Sequence, residues 1–347
     1  MTLQTHLGTE LPIIQAPMAG VQGSALTLAV SNAGGLGSLA CAMLTPDALL
    51  KELQAIKAGT DRPYNLNFFC HTQPEQSSER EQAWRATLAP YYAEFGIDPE
   101  TIPSGPGRAP FTAATADLIE AFNPPVVSFH FGLPDPALIA RIKRWGTRIL
   151  SSATTVEEAL WLEAAGVDAV IAQGLEAGGH RGMFLSDDIT TQTGTFALVR
   201  RIVQAVNIPV IAAGGIADAE GVAAALRLGA AGVQIGTAYL LCPEADTSAI
   251  HRAALQSPDA DHTALTNVFS GRPARSIVNR LIAEQGPFCR TAPAFPLAST
   301  AVAPLRAAAE ALGNGAFSSL WCGQHPPLYV DVDAASLTRA LAQWVQS

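Results

Sequence analysis

Ile208-Pro-Val-Ile-Ala-Ala-Gly-Gly215, then the helical stretch Glu220–Leu228 headed by Asp218, then Val233-Gln-Ile-Gly-Thr237 make up one complete strand, helix and strand. Val210–Ala213 is an unbroken apolar run, as expected of a parallel strand covered on both faces. Asp218 is a residue type that caps helix starts, and the glycines after each strand allow the chain to turn sharply into the next element.

The same unit recurs along the chain. Short apolar runs at Pro12–Gln15, Gly37–Ala40, Tyr64–Phe69, Val126–His130, Arg148–Ser151 and Ala169–Ala172 precede the two above, with Ala/Leu/Glu-rich stretches between them. Thr155-Val-Glu-Glu158 resembles a capping box ahead of one such stretch. Eight strand-helix units predict an α/β fold of the (β/α)8 TIM-barrel type.

The chain has 347 residues, more than the roughly 250 of a plain barrel, so additions are expected. Two segments fall outside the repeat. Residues 71–111 are polar, Pro-rich and aromatic, and too long for a simple loop after the third strand. Pro243–Pro327 mixes helices with Pro/Gly breaks before a final amphipathic stretch, Ala334–Val345. The expected organisation is a barrel core over 1–242 and a C-terminal segment, 243–347, that caps it and packs a last helix on it.

Composition narrows the function classes. Hydrophobic residues make up 48% and charged residues 15%, which fills a large core and excludes a disordered chain. A net charge of −9 with no dense basic cluster excludes nucleic acid as an expected partner. The five cysteines are scattered and odd in number, which fits neither a disulfide framework nor a metal clip and points to a reducing, cytoplasmic setting. No apolar run nears the roughly 18 residues that span a bilayer, and Met1–His6 has no signal-peptide pattern, so no membrane partner is expected. The expected assembly is a monomer or homodimer.

In a barrel of this kind the chemistry sits where the strands end. Gly214-Gly215 and Gly236-Thr237 end the last two strands, the place where barrels often bind phosphate: bare backbone N–H groups and a hydroxyl approach an anion there. Gly178-Gly179 repeats the glycine logic after the sixth strand. Gln173, Asn67 and Gln15 offer amides able to donate and accept in the plane of a ring. Phosphate plus a planar heteroaromatic ring suggests flavin mononucleotide (FMN), while a sugar phosphate fits the phosphate half equally well. His130 and His180 are the two histidines at predicted strand ends, where an imidazole can serve as a general base near neutral pH. The only lysines, Lys51, Lys57 and Lys143, fall in helical stretches, which argues against Schiff-base chemistry. HExxH, Walker A and GxSxG motifs are missing, and no metal-ligand spacing occurs, so no metal is expected.

Taken together, Pro12–Gly20, Asn65–Phe69, Ser128-Phe-His-Phe-Gly132, Gln173–Gly182, Ile208–Gly215, Gln234–Thr237 and Phe269-Ser-Gly-Arg-Pro-Ala-Arg275 resemble the nitronate monooxygenases, FMN-dependent TIM barrels formerly called 2-nitropropane dioxygenases. The glycine motifs are also similar to those of FMN-dependent enoyl-thioester reductases and NAD(P)H:quinone reductases, the alternative reading. The Ser128–Gly132 and Gly271–Arg275 segments look like the first class of nitronate monooxygenase.

The resemblance implies FMN contacts at Asn67, Gln173, Gly178, Gly215, Gln234, Ile235, Gly236 and Thr237, with Pro17 and Met18 beside the ring. It also implies a base for neutral nitroalkanes, His130 first and His180 second. The implied reaction joins an alkyl nitronate such as propionate 3-nitronate to O2, giving a carbonyl compound and nitrite, in keeping with a detoxifying role. An anionic substrate facing a chain of charge −9 calls for a local positive field, expected from Arg181, Arg272 or Arg275. The resemblance implies a tyrosine where this sequence has Phe295, so a hydroxyl for a nitro oxygen is missing.

Overall fold

A computed structural model describes residues 2–103 and 108–343. Eleven strands are present among them: β1 (Ile13–Gln15), β2 (Gly37–Ala40), β3 (Tyr64–Phe69), β4 (Val126–His130), β5 (Arg148–Ala153), β6 (Ala169–Gln173), β7 (Gly179–His180), β8 (Val210–Ala213), β9 (Gly232–Ile235), β10 (Thr263–Thr266) and β11 (Ala274–Ile277). The eight expected strands form one all-parallel sheet in the order β1-β9-β8-β6-β5-β4-β3-β2, each within two residues of its expected bounds. Between β1 and β2 the Gln15 amide donates to the Leu36 carbonyl at 3.0 Å and the Leu36 amide to Ile13 at 2.9 Å. That pair of bonds closes the sheet into a (β/α)8 barrel.

Strand parity builds the two layers of the core. Ile14, Leu36, Val126, Leu150, Ala169, Ile171 and Ile211 fill the barrel interior, and Leu3 and Leu7 of the short helix Leu3–Leu7 plug its lower end. Alternate residues such as Ile13, Leu39, Val127, Val170 and Val233 face outward onto the surrounding helices. Helix starts are capped by nearby side chains. Asp218 Oδ1 accepts from the Gly221 amide at 2.7 Å as expected. The capping box at Thr155 is only half made. Thr155 Oγ1 accepts from the Glu158 amide at 3.2 Å, but the Glu158 carboxylate bonds instead to Thr154 and to the amides of Phe184 and Leu185.

The two additions pack on each other. The helix Ser78–Phe95, inside the 71–111 insertion, lies against the helix Ala298–Ala311 through Trp84, Leu88, Tyr92, Val302 and Leu305, a second core beside the barrel. Its polar groups are satisfied across that contact: Trp84 Nε1 donates to the Ala298 carbonyl at 3.2 Å and Tyr92 Oη to Ala301 at 2.7 Å. Of the stretch Ala334–Val345, a helix spans Ala334–Leu341, and the residues beyond 343 lie outside the described residues.

Three strands have no counterpart in the eightfold pattern. β10, β11 and β7 make a small antiparallel sheet in which Ala274 pairs with His180 and Arg275 with Gly179. The loop after β6 is thereby tied to the C-terminal segment. No described helix is long and apolar enough to cross a membrane.

Candidate active site

The register of the barrel sets its upper rim. Gln173 pairs with Ala213, and Ala213 with Gln234, so the ends of β6, β8 and β9 stand level. Phe69 likewise pairs with His130. Above this rim lies a cleft of about 1320 Å³, open mouth included.

Of the residues singled out in the sequence, Pro17, Met18, Asn67, His130, Gln173, Gly178, Gly179, His180, Gly214, Gly215, Gln234, Gly236 and Thr237 all line this cleft. Ile235 does not. Strand parity turns its side chain into the hydrophobic layer outside the barrel, and its carbonyl is taken by the Ala16 amide at 2.7 Å. Gln15 is also turned away: its Oε1 accepts from the Ser38 amide at 2.9 Å and its Nε2 bonds Gln22 and the Ala16 carbonyl, locking β1 to β2.

One end of the cleft is a backbone cradle. Gly214 and Gly215 have φ of 120° and 70°, a region closed to most side chains. At Gly178 a Cβ would lie 2.6 Å from the Gly323 nitrogen, so only glycine lets these two backbones meet. The Gly323 amide donates to Thr237 Oγ1 at 2.9 Å, bringing the C-terminal segment onto the cradle. Beside it, Gln234 Oε1 is buried without a hydrogen-bond partner among the described residues. A buried unpaired acceptor costs about 1–3 kcal/mol, which a ligand N–H would relieve. Bare glycine backbone beside an orphaned acceptor fits a group that combines a phosphate with a hydrogen-bonding ring.

The other end carries the histidines. His130 Nε2 lies 3.2 Å from the His180 carbonyl, which can only accept, so the proton sits on Nε2 and Nδ1 accepts from Ser152 Oγ at 3.0 Å. His180 Nε2 meets Ser270 Oγ at 2.8 Å, while its Nδ1 has no partner among the described residues and opens on the cleft. Burial holds His130 down to about 4 and His180 well below the ordinary imidazole range, with Arg272 adding to both, so both rings are neutral near pH 7. Gln173, read from the sequence as a ring-binding amide, is spent on the protein. Its Nε2 donates to the His180 carbonyl at 3.0 Å and its Oε1 accepts from the Gly182 amide at 2.7 Å, fixing the loop that carries His180.

Of the three arginines expected to supply a positive field, two serve structure. Arg181 is 0% exposed and grips the Gln173 and Gly174 carbonyls and Gln192 Oε1. Arg275 bonds the Leu175 carbonyl at 2.9 Å and Thr263 at 3.1 Å. Arg272 alone of the three faces the histidine end, its guanidinium 4.3 Å from the Phe131 ring centre. Phe295 joins Phe69 and Phe131 in an aromatic cluster, its ring 5.3 Å from His180. Sequence reasoning passes over Ser152, Arg108, His251, Trp321, Gly323 and His325, which also line the cleft, and Ser270 behind His180. A histidine or glycine late in the chain gives no signal of its own without the fold that returns it to the rim.

The fold and this site define a (β/α)8-barrel enzyme with its chemistry at the strand ends. A family model described as nitronate monooxygenase matches residues 2–337, and the chain belongs to that family. It is 44% identical to a nitronate monooxygenase of Pseudomonas aeruginosa over 97% of each chain. The crystal structure of a nitroalkane oxidase from Streptomyces ansochromogenes superposes with a TM-score of 0.88 at 40% identity, covering 98% of both chains. FabK from Thermotoga maritima is similar at a TM-score of 0.72 and 26% identity, covering 100% of this chain and 97% of that one.

Proposed function

We propose that the chain is an FMN-dependent nitronate monooxygenase, oxidising alkyl nitronates with O2 to a carbonyl compound and nitrite. The observation that carries this reading is the pairing, in one cleft, of the glycine cradle and orphaned Gln234 with two neutral histidines. The family and its relatives support it.

The backbone at Gly215, Gly236 and Thr237 would hold the phosphate. Gly178, Gly179 and Gly214 would admit the ring, with Gln234 and Asn67 at its polar edge and Pro17 and Met18 beside it. FMN, when bound, would supply the redox chemistry between the nitronate and O2. The protein's own part is to place the nitronate in the aromatic end of the cleft and to keep water from it.

A nitronate already carries the negative charge that oxidation needs, whereas a neutral nitroalkane must first lose its α-proton. Both nitrogens of His130 are engaged, so the group with a lone pair free for that proton is His180 Nδ1, with the Nε2 proton donated to Ser270. His130 then acts as a holder of the His180 backbone and a wall of the substrate end. This reverses the order in which the sequence placed the two.

The test is the visible spectrum of the purified protein without oxygen, before and after propionate 3-nitronate and then NADH. Flavin bands that change with the nitronate but not with NADH are the expected result. Bleaching by NADH alone would support a reductase instead, and a protein that neither carries nor takes up FMN would overturn the reading.

A further inference from the structure

The run Leu320–Gly323 lies along β11, and its backbone groups alternate between two edges as in any extended chain. On the β11 edge, the Leu320 carbonyl accepts from the Ile277 amide at 2.9 Å and the Cys322 amide donates to the Arg275 carbonyl at 3.4 Å. On the opposite edge, the Trp321 carbonyl accepts from His251 Nε2 at 3.1 Å and the Gly323 amide donates to Thr237 Oγ1 at 2.9 Å. His251, on the helix Ala249–Leu255, and Thr237 are therefore neighbours on one edge, attached two residues or roughly 7 Å apart along the run. Both line the cleft.

These bonds fix the protons. A carbonyl only accepts, so His251 carries its hydrogen on Nε2 and keeps a lone pair on Nδ1, which has no partner among the described residues. Thr237 Oγ1 accepts from Gly323, which leaves its hydroxyl hydrogen to donate into the cradle. His251 is 4% exposed, and burial, with Arg252 adding to it, lowers the ring to about 4. The other ionisable groups around it are held, neutral or turned to solvent. The Arg252 guanidinium is bound by the Leu241, Cys242, Ala245 and Thr247 carbonyls, and burial pushes the Cys322 thiol up to about 12. Tyr239 Oη, on the turn Thr237–Leu241, meets Thr338, and the Glu176 carboxylate beside Gly215 is tied to Thr195. Asp259 and Asp261, on the turn packed against the helix, are exposed. His325 shares the cleft, its Nδ1 3.0 Å from the Pro326 carbonyl. Among the described residues lining the cleft the one fixed charge is Arg108, whose guanidinium lies 5.5 Å from the Phe295 ring centre, at the histidine end.

A phosphate at Gly215, Gly236 and Thr237 thus meets neutral N–H and O–H donors and the lone pair of His251, with no fixed cation beside it. A doubly charged phosphate is repelled by that lone pair, and burying its second charge unpaired is costly. One proton between the imidazole and a phosphate oxygen turns the repulsion into a charge-assisted hydrogen bond. We propose that His251 is a ligand of the FMN phosphate, and that the cofactor binds together with one proton drawn from solvent and shared between Nδ1 and a phosphate oxygen. The inference rests on the flavin assigned above, and it makes retention of that flavin depend on pH.

The test measures FMN released from the holoenzyme on dilution, by the fluorescence of the free flavin, from about pH 7 to about pH 9. A free phosphate monoester is already a dianion across that range, its second pKa being about 6, so the flavin itself adds no slope. In the wild type Kd for FMN rises at least about tenfold over the window, because the complex holds one proton more than its separated parts. Riboflavin, exchanged into the site, lacks the phosphate and binds with an unchanging Kd. In His251→Gln the side-chain amide keeps the bond to the Trp321 carbonyl, so the variant melts close to the wild type, while its Kd for FMN is weaker at neutral pH and flat above it. The phosphorus resonance of FMN bound to the wild type moves across the same window, a reading that needs no variant. A flat Kd and a fixed resonance in the wild type, a slope that survives in His251→Gln, or the same slope with riboflavin would overturn the proposal and leave the flavin assignment standing. A slope that His251→Gln abolishes, in a protein that leaves propionate 3-nitronate untouched, would count against the oxidation and leave the His251 site intact.

Discussion

His130 donates its Nε2 proton to the main-chain carbonyl of His180 at 3.2 Å, so the ring at the end of β4 holds the backbone of the other histidine in place. The same carbonyl takes a second hydrogen bond, from Gln173 Nε2 at 3.0 Å. The two imidazoles are therefore unequal: one is fixed at both nitrogens and the other keeps Nδ1 toward the cleft.

That inequality predicts a split between substrates. General-base catalysis contributes roughly 10²–10⁴-fold, so His180→Asn should lower kcat/KM for nitroethane by about 10²-fold or more and for ethyl nitronate by less than about tenfold. His130→Asn should cost both substrates to a similar degree, because it loosens the loop instead of removing a proton acceptor. Steady-state rates with the two substrates decide it, and equal losses in His180→Asn would remove His180 from the proton step.

Gln234 predicts opposite signs for stability and binding. Its buried Oε1 is unpaired in the protein alone, so Gln234→Leu should leave the flavin-free protein as stable as the wild type or up to about 1–3 kcal/mol more so. The same change should weaken FMN binding at least tenfold. Melting curves of the stripped protein and a fluorescence titration with FMN read the two effects separately.

Acid should unfold the protein through its buried imidazoles. Desolvation lowers His71, His130 and His251 to about 4 in the folded state, while in the unfolded chain each titrates near 6.5. Between those values the unfolded chain binds more protons, so stability is full at neutral pH and falls as pH drops from about 6.5 toward 4. Melting temperatures measured across that window should decline, and His130→Asn should make the decline shallower. An identical slope in wild type and variant would rule out His130 as a contributor.

Arg181 predicts a structural loss that reaches the site. Arg181→Met removes the guanidinium donor from the Gln173 carbonyl and from Gln192 Oε1, each worth about 1–3 kcal/mol when buried, and leaves the Gly174 carbonyl with the Ala177 amide alone. The melting temperature should drop by more than about 5 °C. Lysine keeps the charge but not the fork, so Arg181→Lys should recover only part of it. A variant that melts with the wild type would show that the grip on β6 is dispensable.

The barrel is legible in the sequence because most of its strands are short, mainly apolar runs between glycine or proline breaks, even where Asn65, Asn67, Ser128 or Ser151 interrupts them. β7, β10 and β11 are not, since Gly179–His180 is two residues long and Thr263–Thr266 and Ala274–Ile277 owe their pairing to partners far away along the chain. The glycine cradle can be read from residue type, because few side chains tolerate the backbone at Gly214 and Gly215. Ile235 is misplaced for want of one fact, the parity of its strand. Trp321 and Gly323 reach the rim through their bonds to Ser276 and Thr237, and Arg108 through its carbonyl's bond to Gln73, contacts distant along the chain with no local signature.

The hydrogen bond from Gly323 to Thr237 joins positions 86 residues apart, and it closes the cradle from above. During synthesis the barrel strands leave the ribosome well before Gly323 does, so a nascent chain can complete its sheet while the cradle still lacks a side. Loading of any ligand held there is thus a late event in the life of each molecule. A polypeptide interrupted between β9 and Gly323 would carry all eight strands, but neither the clasp nor the helix Ala334–Leu341 that packs on them.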